Sequence, residues 1–203
     1  RHNYLAAALA KPAYVNVFLG RLNSFVAAND LGDGENVGER TLVASQLAVA
    51  ELRDSRGVPT RQIAASMREG SQVPALAGAD VMTLPLAVAD GFVSEHSPGQ
   101  SLVPFEDQTY EVDLKSGPSR RPIEALWTLT DGFRAVTSQL LEEPLASYGP
   151  EDLRTFFRDH GSPGLFPAWT DAGIQTIGED GKIPVYNHWA EGLHEGEVAL
   201  DAL

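Results

Sequence analysis

The sequence predicts an α/β protein built on a parallel sheet, and three observations indicate it. Residues 14–21 form a short β-branched and aromatic run of the kind found in buried parallel strands. Residues 61–69 have the same design, an apolar run that ends in a serine and an arginine. A helix-like segment, residues 41–56, separates the two. This alternation is typical of βαβ units, which place polar groups at the ends of their strands.

The remaining elements are predicted from periodicity and from helix-terminating residues. In chain order they are a helix at 3–10, a glycine-rich loop at 22–40, a helix at 70–77, a strand at 81–84 and a helix at 86–93. Beyond them we expect a brief strand at 110–114, an amphipathic helix at 122–141, a helix between Pro150 and Gly161, and a last helix at 189–203. Helices therefore dominate the second half of the chain.

Composition excludes several classes of protein. The 203 residues suffice for one or two domains with a sizeable core. A formal net charge of -13 opposes binding to nucleic acid or to anionic membranes, since both need a basic surface. Without cysteine there is no disulfide scaffold, thiolate nucleophile or cysteine zinc site, and we expect a reducing, cytoplasmic environment. No apolar run reaches the length of a membrane span.

Three motifs resemble those of one enzyme family, in the same order and spacing. Residues 14–21 resemble the strand-six motif of transaldolases, commonly Tyr-(Val/Ile)-Ser-Pro-Phe-Val-Gly-Arg. Residues 63–68 are similar to the strand-seven motif, commonly Ala-Ser-(Phe/Ile)-Arg, and residues 77–85 to the strand-eight segment, commonly Gly-Ala-Asp-x-x-Thr-(Ile/Leu)-Pro. The resemblance implies the C-terminal part of a (β/α)8 TIM barrel, with strands six to eight and their helices in residues 1–93. Residues 94–203 would then be a mostly helical extension, either packed on the barrel or forming an oligomer contact, which leaves a homo-oligomer open.

The resemblance also implies an activity. Transaldolases are transferases of carbohydrate metabolism, in the pentose phosphate pathway, and move a dihydroxyacetone unit between sugar phosphates through a lysine Schiff base. Arg21, Ser66 and Arg68 would hold the substrate phosphate, and Asn16, in place of the usual serine, and Phe18 would contact the sugar. The chemistry of arginine is consistent with these roles, because two guanidiniums at the C-terminal rim of a barrel can bind one phosphate together. No cofactor or metal is implied, since the imine itself is the electron sink.

The Schiff-base lysine has no counterpart in the matching motifs. In the family it precedes strand six, so we expect it upstream of this chain, with the remaining half of the barrel supplied in cis or by another chain. This chain alone would be inactive. Lys182, followed by Ile183 and Pro184, resembles the strand-four motif and would make the chain a circular permutant. A turn signature precedes it, which favours an exposed lysine. The alternative function is a non-catalytic sugar-phosphate-binding or assembly module that lacks the lysine.

Other polar residues have simpler interpretations. Glu35 and Glu39 are interpreted as solvated charges. His160, His188 and His194 are interpreted as surface residues, because the last two are six residues apart and would not face the same side of a helix as metal ligands must.

Overall fold

The structure is a computed structural model that describes residues 1–97, 99–117, 120–162 and 165–166. These residues fall into two compact units, the first of Arg1 and Asn3–Thr128, the second of His2 and the described residues from Leu129 onward. In the first unit, β1 (Tyr14–Phe18), β2 (Arg61–Ala65) and β3 (Val81–Met82) form a parallel sheet in the order β1-β2-β3. The prediction of an α/β protein with parallel strands is therefore confirmed.

Helices alternate with these strands and continue after them. The helices described in the first unit are α1 (His2–Ala10, except for His2 itself), α2 (Leu19–Ala28), α3 (Val37–Arg56), α4 (Gln72–Ala75), α5 (Leu86–Glu95) and α6 (Arg120–Glu124). Those described in the second unit are α7 (Asp131–Leu140) and α8 (Pro150–Asp159). Short 3-10 turns occur at Phe105–Asp107 and Leu145–Ser147.

The core of the first unit lies between the sheet and its helices. Val17 of β1 and Ala64 of β2 are buried in one cluster with Leu42 of α3, Leu76, which directly follows α4, and Val88 of α5. Alternation along a strand sends Val17 and Ala64 to the face that the helices cover. One face of the sheet is thereby packed by residues that the sequence identifies as apolar.

The loop predicted at residues 22–40 is confined to residues 29–36, because α2 begins directly after β1 and α3 begins at Val37. Leu19 and Val26 are fully buried, and Leu22 packs between them against the core. This i, i+3, i+7 spacing is helical and places an apolar stripe on the core. The strand therefore ends at Phe18, and Arg21 lies in the first turn of α2 and not on the strand itself.

The single helix predicted at 122–141 is also wrong, because the chain breaks between α6 and α7. Thr130 caps the second helix, and its hydroxyl accepts a hydrogen bond from the Phe133 N–H at 3.2 Å. A threonine at this position favours a new helix start over a continuous helix. In the described residues, the strand predicted at 110–114 is reduced to one antiparallel bridge between Leu114 and Gly32.

In the second unit, α8 matches the predicted helix after Pro150. Its first-turn Asp152 accepts a hydrogen bond from the Gly149 N–H at 2.7 Å, and Gly161 follows its end. Phe133 of α7 stacks on Phe157 of α8 with ring centroids 6.0 Å apart. The helix predicted at 189–203 lies outside the described residues. The boundary predicted between 93 and 94 stays a prediction, although residues 94–128 are grouped with the sheet.

We expect residues 14–93 alone to show no cooperative unfolding transition. In the chain, Val26 and Val37 are fully buried against Leu114 and Ile123, which this segment lacks. Each newly exposed Val, Leu or Ile forfeits about 1.5–3 kcal/mol, and a few of them approach a domain's whole stability of about 5–15 kcal/mol. Thermal circular dichroism of residues 14–93, beside the 203-residue chain, measures this. A cooperative, monomeric melt of the segment would contradict the prediction.

Candidate functional site

The ends of β1 and β2 lie side by side, because Phe18 pairs with Ala65 in the sheet. After Ala65 the chain crosses over the first turn of α2 at Gly20. A Cβ atom built on Gly20 would lie 2.1 Å from the backbone oxygen of Ser66 and 3.0 Å from Nε of Arg68. Only glycine permits so close a crossing. Arg68 therefore packs over the residue that precedes Arg21, and the ends of the two motifs meet.

Ser66 is the turning point of this crossing. Its φ is +61°, the left-handed region that residues other than glycine seldom adopt. Such a conformation costs on the order of 1 kcal/mol and is found where the surroundings enforce it, often at ligand sites. The turn directs Met67 into the core, where it is 1% exposed, and leaves Arg68 exposed on the other side.

Arg21 and Phe18 are held together across the end of β1. The guanidinium carbon of Arg21 lies 4.9 Å from the centroid of the Phe18 ring. A cation above an aromatic face at an exposed site gains about 0.5–1 kcal/mol. Phe18 is half-buried and Arg21 is exposed, so the ring supports a cation that still faces solvent.

Arg68 presents a second cation at the same end of the sheet. In the described part of the chain, no carboxylate lies within ion-pair distance of its guanidinium. Its backbone is fixed, because the Arg68 N–H donates to Oε1 of Gln72 at 2.6 Å. An exposed arginine on an ordered backbone suits an anionic ligand, since guanidinium pairs bidentately with phosphate or carboxylate oxygens.

Asn16 lies on β1 between Val15 and Val17 and, by alternation, faces the other side of the sheet. Its Oδ1 atom is buried, and no described residue donates a hydrogen bond to it. Buried acceptors are normally paired, so an orphaned one calls for an explanation. Oδ1 of Asn16 can therefore accept a hydrogen bond from a ligand that carries a hydroxyl or amine donor.

Glu39, in the first turn of α3, is not the solvated charge that was predicted. It is 4% exposed, and its carboxylate accepts hydrogen bonds from Nδ2 of Asn23 and Nε2 of Gln72. Glu35 is exposed, as predicted. The spacing contained a signal, since Glu39 shares one stripe of α3 with buried residues three, seven and ten positions further on, which are Leu42, Gln46 and Val49.

Tyr110 closes this polar cluster from the segment after α5. Burial first, and then the negative charge of Glu39, raise the pKa of Tyr110 to about 12. The phenol therefore remains a proton donor at neutral pH, and it donates to the backbone oxygen of Ala75. Ala75 and Gln72 are the last and first residues of α4, so both ends of this short helix are tied down.

Comparison with known proteins identifies the family. Residues 1–146 match the family model of transaldolase/fructose-6-phosphate aldolase. The chain belongs to this family. It is 32% identical over 130 residues to a transaldolase of Chlamydia pneumoniae, an alignment that covers 64% of this chain and 36% of that protein. It is 30% identical over 103 residues to a transaldolase of Chlamydia muridarum (strain MoPn / Nigg), covering 51% of this chain and 32% of that protein.

The chain thus spans about a third of the length of the curated relatives it matches, with alignments covering 36% and 32% of them. No solved structure matches it. The transaldolase/fructose-6-phosphate aldolase match confirms the resemblance inferred from the three motifs. It also continues to residue 146, beyond the segment in which those motifs were found.

The sequence also singled out one lysine and three histidines. Lys182, His188 and His194 lie outside the described residues. His160 follows α8, where it is exposed and stacks on Phe156 with centroids 4.1 Å apart. Among the residues that are described, no group of histidines and carboxylates could hold a metal ion. None of the described helices is both long and apolar enough to cross a bilayer.

Proposed function

We propose that this chain supplies the phosphate-binding side of a transaldolase-like transferase. The enzyme would move a dihydroxyacetone unit between sugar phosphates through a lysine Schiff base. The observation that carries the proposal is the crossing at Gly20, which brings Arg68 against the first turn of α2 next to Arg21. Family membership supports the same assignment.

In this proposal each site residue has a separate task. Arg68 and Arg21 bind the phosphate oxygens, and the hydroxyl of Ser66 donates to one of them. The first turn of α2, which contains Arg21, has N–H groups without partners inside the helix, and such groups favour a nearby anion. Asn16 accepts a hydrogen bond from a sugar hydroxyl through its orphaned Oδ1, and Phe18 packs against the carbon chain.

The Schiff-base lysine would come from outside this chain, with further strands of a (β/α)8 barrel. Two observations support this. In the described residues β1 and β3 each pair on one side only, so both outer edges of the sheet are open to more strands. Apolar side chains follow β3 in exposed positions, with Leu84, Leu86 and Val93 exposed by 40%, 77% and 73%. Unpaired edges and exposed apolar groups of this kind are normally covered in a barrel.

We expect no imine at either lysine that the structure describes. An imine-forming lysine needs desolvation to lower its pKa so that the neutral amine can attack the ketose carbonyl. Lys11 is exposed after α1, and Lys115 is exposed and paired with Asp30. Borohydride reduction in the presence of fructose 6-phosphate, followed by peptide mass spectrometry, tests this. A reduced adduct on Lys11 or Lys115 would contradict it.

The same experiment on the full-length gene product tests the function. The expected result is a reduced adduct on a lysine outside residues 1–203, together with transfer of the three-carbon unit to an aldose phosphate. An adduct on Lys182 would instead support the circular permutant. Binding of fructose 6-phosphate without any adduct would support the non-catalytic binding or assembly module.

A further inference from the structure

The buried carboxylate of Glu39 lies beneath the loop that follows β2. We propose that Glu39 is a positioning residue, which fixes the backbone of Arg68 through the side chain of Gln72. This inference rests on the proposed function, because it concerns the same phosphate site. It assigns a task to a charged group that neither the three motifs nor the proposed chemistry uses.

The contacts form a continuous chain from Glu39 to Arg68. Oε1 of Glu39 accepts from Nε2 of Gln72 at 2.5 Å. At the other end of its amide, Oε1 of Gln72 accepts from the Arg68 N–H at 2.6 Å and from the Glu69 N–H at 3.2 Å. Glu39 and Gln72 are both buried, so these hydrogen bonds are shielded from competing water.

A carboxylate is required because both of its neighbours present N–H donors to it. Oδ1 of Asn23 already accepts from the Gly38 N–H at 2.7 Å, which turns Nδ2 of Asn23 toward Glu39, at 3.0 Å from Oε2. Gln72 likewise directs its NH2 group to Oε1 of Glu39, because Oε1 of Gln72 accepts from the Arg68 N–H on the opposite side of the amide. Only a carboxylate accepts at both oxygens, whereas a glutamine would direct one NH2 group against another.

The hydrogen bonds from Glu39 through Gln72 determine the position of the Arg68 backbone. Ser66 holds a left-handed turn and Met67 is buried, so the next fixed point along the loop is the hydrogen bond between the Arg68 N–H and Gln72. Without Glu39, the amide of Gln72 loses the partner that sets its orientation. The loop could then relax and carry the guanidinium of Arg68 away from the first turn of α2.

Two variants of the full-length gene product test the proposal, with fructose 6-phosphate as the probe in calorimetric titrations. Glu39→Gln is expected to weaken binding about 10-fold, because a small displacement of a phosphate-binding group costs about that much or more. The double variant E39Q/Q72E exchanges the two groups and satisfies every hydrogen bond again. The amide now at position 39 would donate to the carboxylate now at position 72, and that carboxylate would also accept from the Arg68 N–H. We expect this swap to restore affinity to within about 3-fold.

Gln46→Met is the matched control. Gln46 is buried on the same helix as Glu39 and hydrogen-bonds to the Gly78 carbonyl and the Asp80 N–H. These groups lie in the loop before β3, not in the loop after β2 that contains Arg68. Its loss is expected to lower the melting temperature and to leave the affinity for fructose 6-phosphate unchanged. A purely structural role for Glu39 would give the same pattern for Glu39→Gln.

The outcomes separate this proposal from the function on which it rests. If wild type binds no fructose 6-phosphate, the proposed function fails and the role of Glu39 fails with it. If wild type binds and Glu39→Gln binds equally well, or the swap is no tighter than the single variant, only the role of Glu39 is overturned. If Glu39→Gln does not fold, a folded swap with wild-type affinity supports the proposal and a weakened one overturns it. Fast hydrogen exchange at the Arg68 amide of wild type overturns it without any variant.

Discussion

Arg68→Ala is expected to weaken the binding of fructose 6-phosphate about 100-fold. A hydrogen bond to a charged group contributes about 1.5–3 kcal/mol. Loss of a bidentate contact worth about 3 kcal/mol raises the dissociation constant by about two orders of magnitude. Arg68 is exposed and has no carboxylate partner in the described residues, so the free energy of unfolding should change by less than about 0.5 kcal/mol. Calorimetric titration and a denaturant melt on the full-length gene product measure both quantities.

Arg61→Ala is the matched control for this experiment. Arg61 is also exposed, but it begins β2, whereas Arg68 follows the end of that strand. Both substitutions remove one positive charge from a chain of net charge -13, so their effects on long-range attraction are alike. Equal weakening by both would show a general charge effect and would contradict a phosphate site at Arg68.

The parallel sheet could be predicted from the sequence because its strands are short apolar runs bounded by turn and helix signals. Residues 14–18 and 61–65 contain nearly all the β-branched and apolar side chains that the sheet buries. The helix directly after β1 could not be predicted with the same ease. Its glycine, serine and asparagine residues weaken the helical pattern locally, and burial of Leu19 and Val26 against other elements outweighs that weakness.

The residues of the candidate site also fall into some that the sequence predicts and some that it does not. Arg21, Ser66 and Arg68 could be proposed from the sequence because each follows an apolar run in a motif of fixed spacing. The spacing along α3 indicates that Glu39 is buried, but its pairing with Gln72 could not be predicted, since the two residues are 33 positions apart. A short-range pattern gives no sign of a partner at that separation, and a charged residue in a polar stretch is usually solvated.

The crossing at Gly20 also explains why a glycine precedes Arg21. A side chain at this position would have to displace the backbone oxygen of Ser66, 2.1 Å from the added Cβ. That oxygen has little freedom, because Ala65 is paired with Phe18 on one side and Met67 is buried on the other. The flexible Arg68 side chain, whose Cγ would be 2.9 Å away, would be pushed aside as well.

Gly20→Ala is therefore expected to destabilise the protein by about 3 kcal/mol, the upper end of the usual cost of overpacking. The affinity for fructose 6-phosphate should fall at least about 10-fold, because Arg68 moves together with the loop. Gly91→Ala is the control, since Gly91 lies in α5 and, among the described residues, an added Cβ would meet nothing closer than the Gly70 nitrogen at 3.6 Å. An alanine there should stabilise the helix by about 0.5–1 kcal/mol. Denaturant melts of both variants measure the free energy of unfolding, and calorimetric titrations measure the affinity for fructose 6-phosphate. A Gly20→Ala protein with wild-type stability and affinity would show that the loop after β2 does not cross α2 at Gly20.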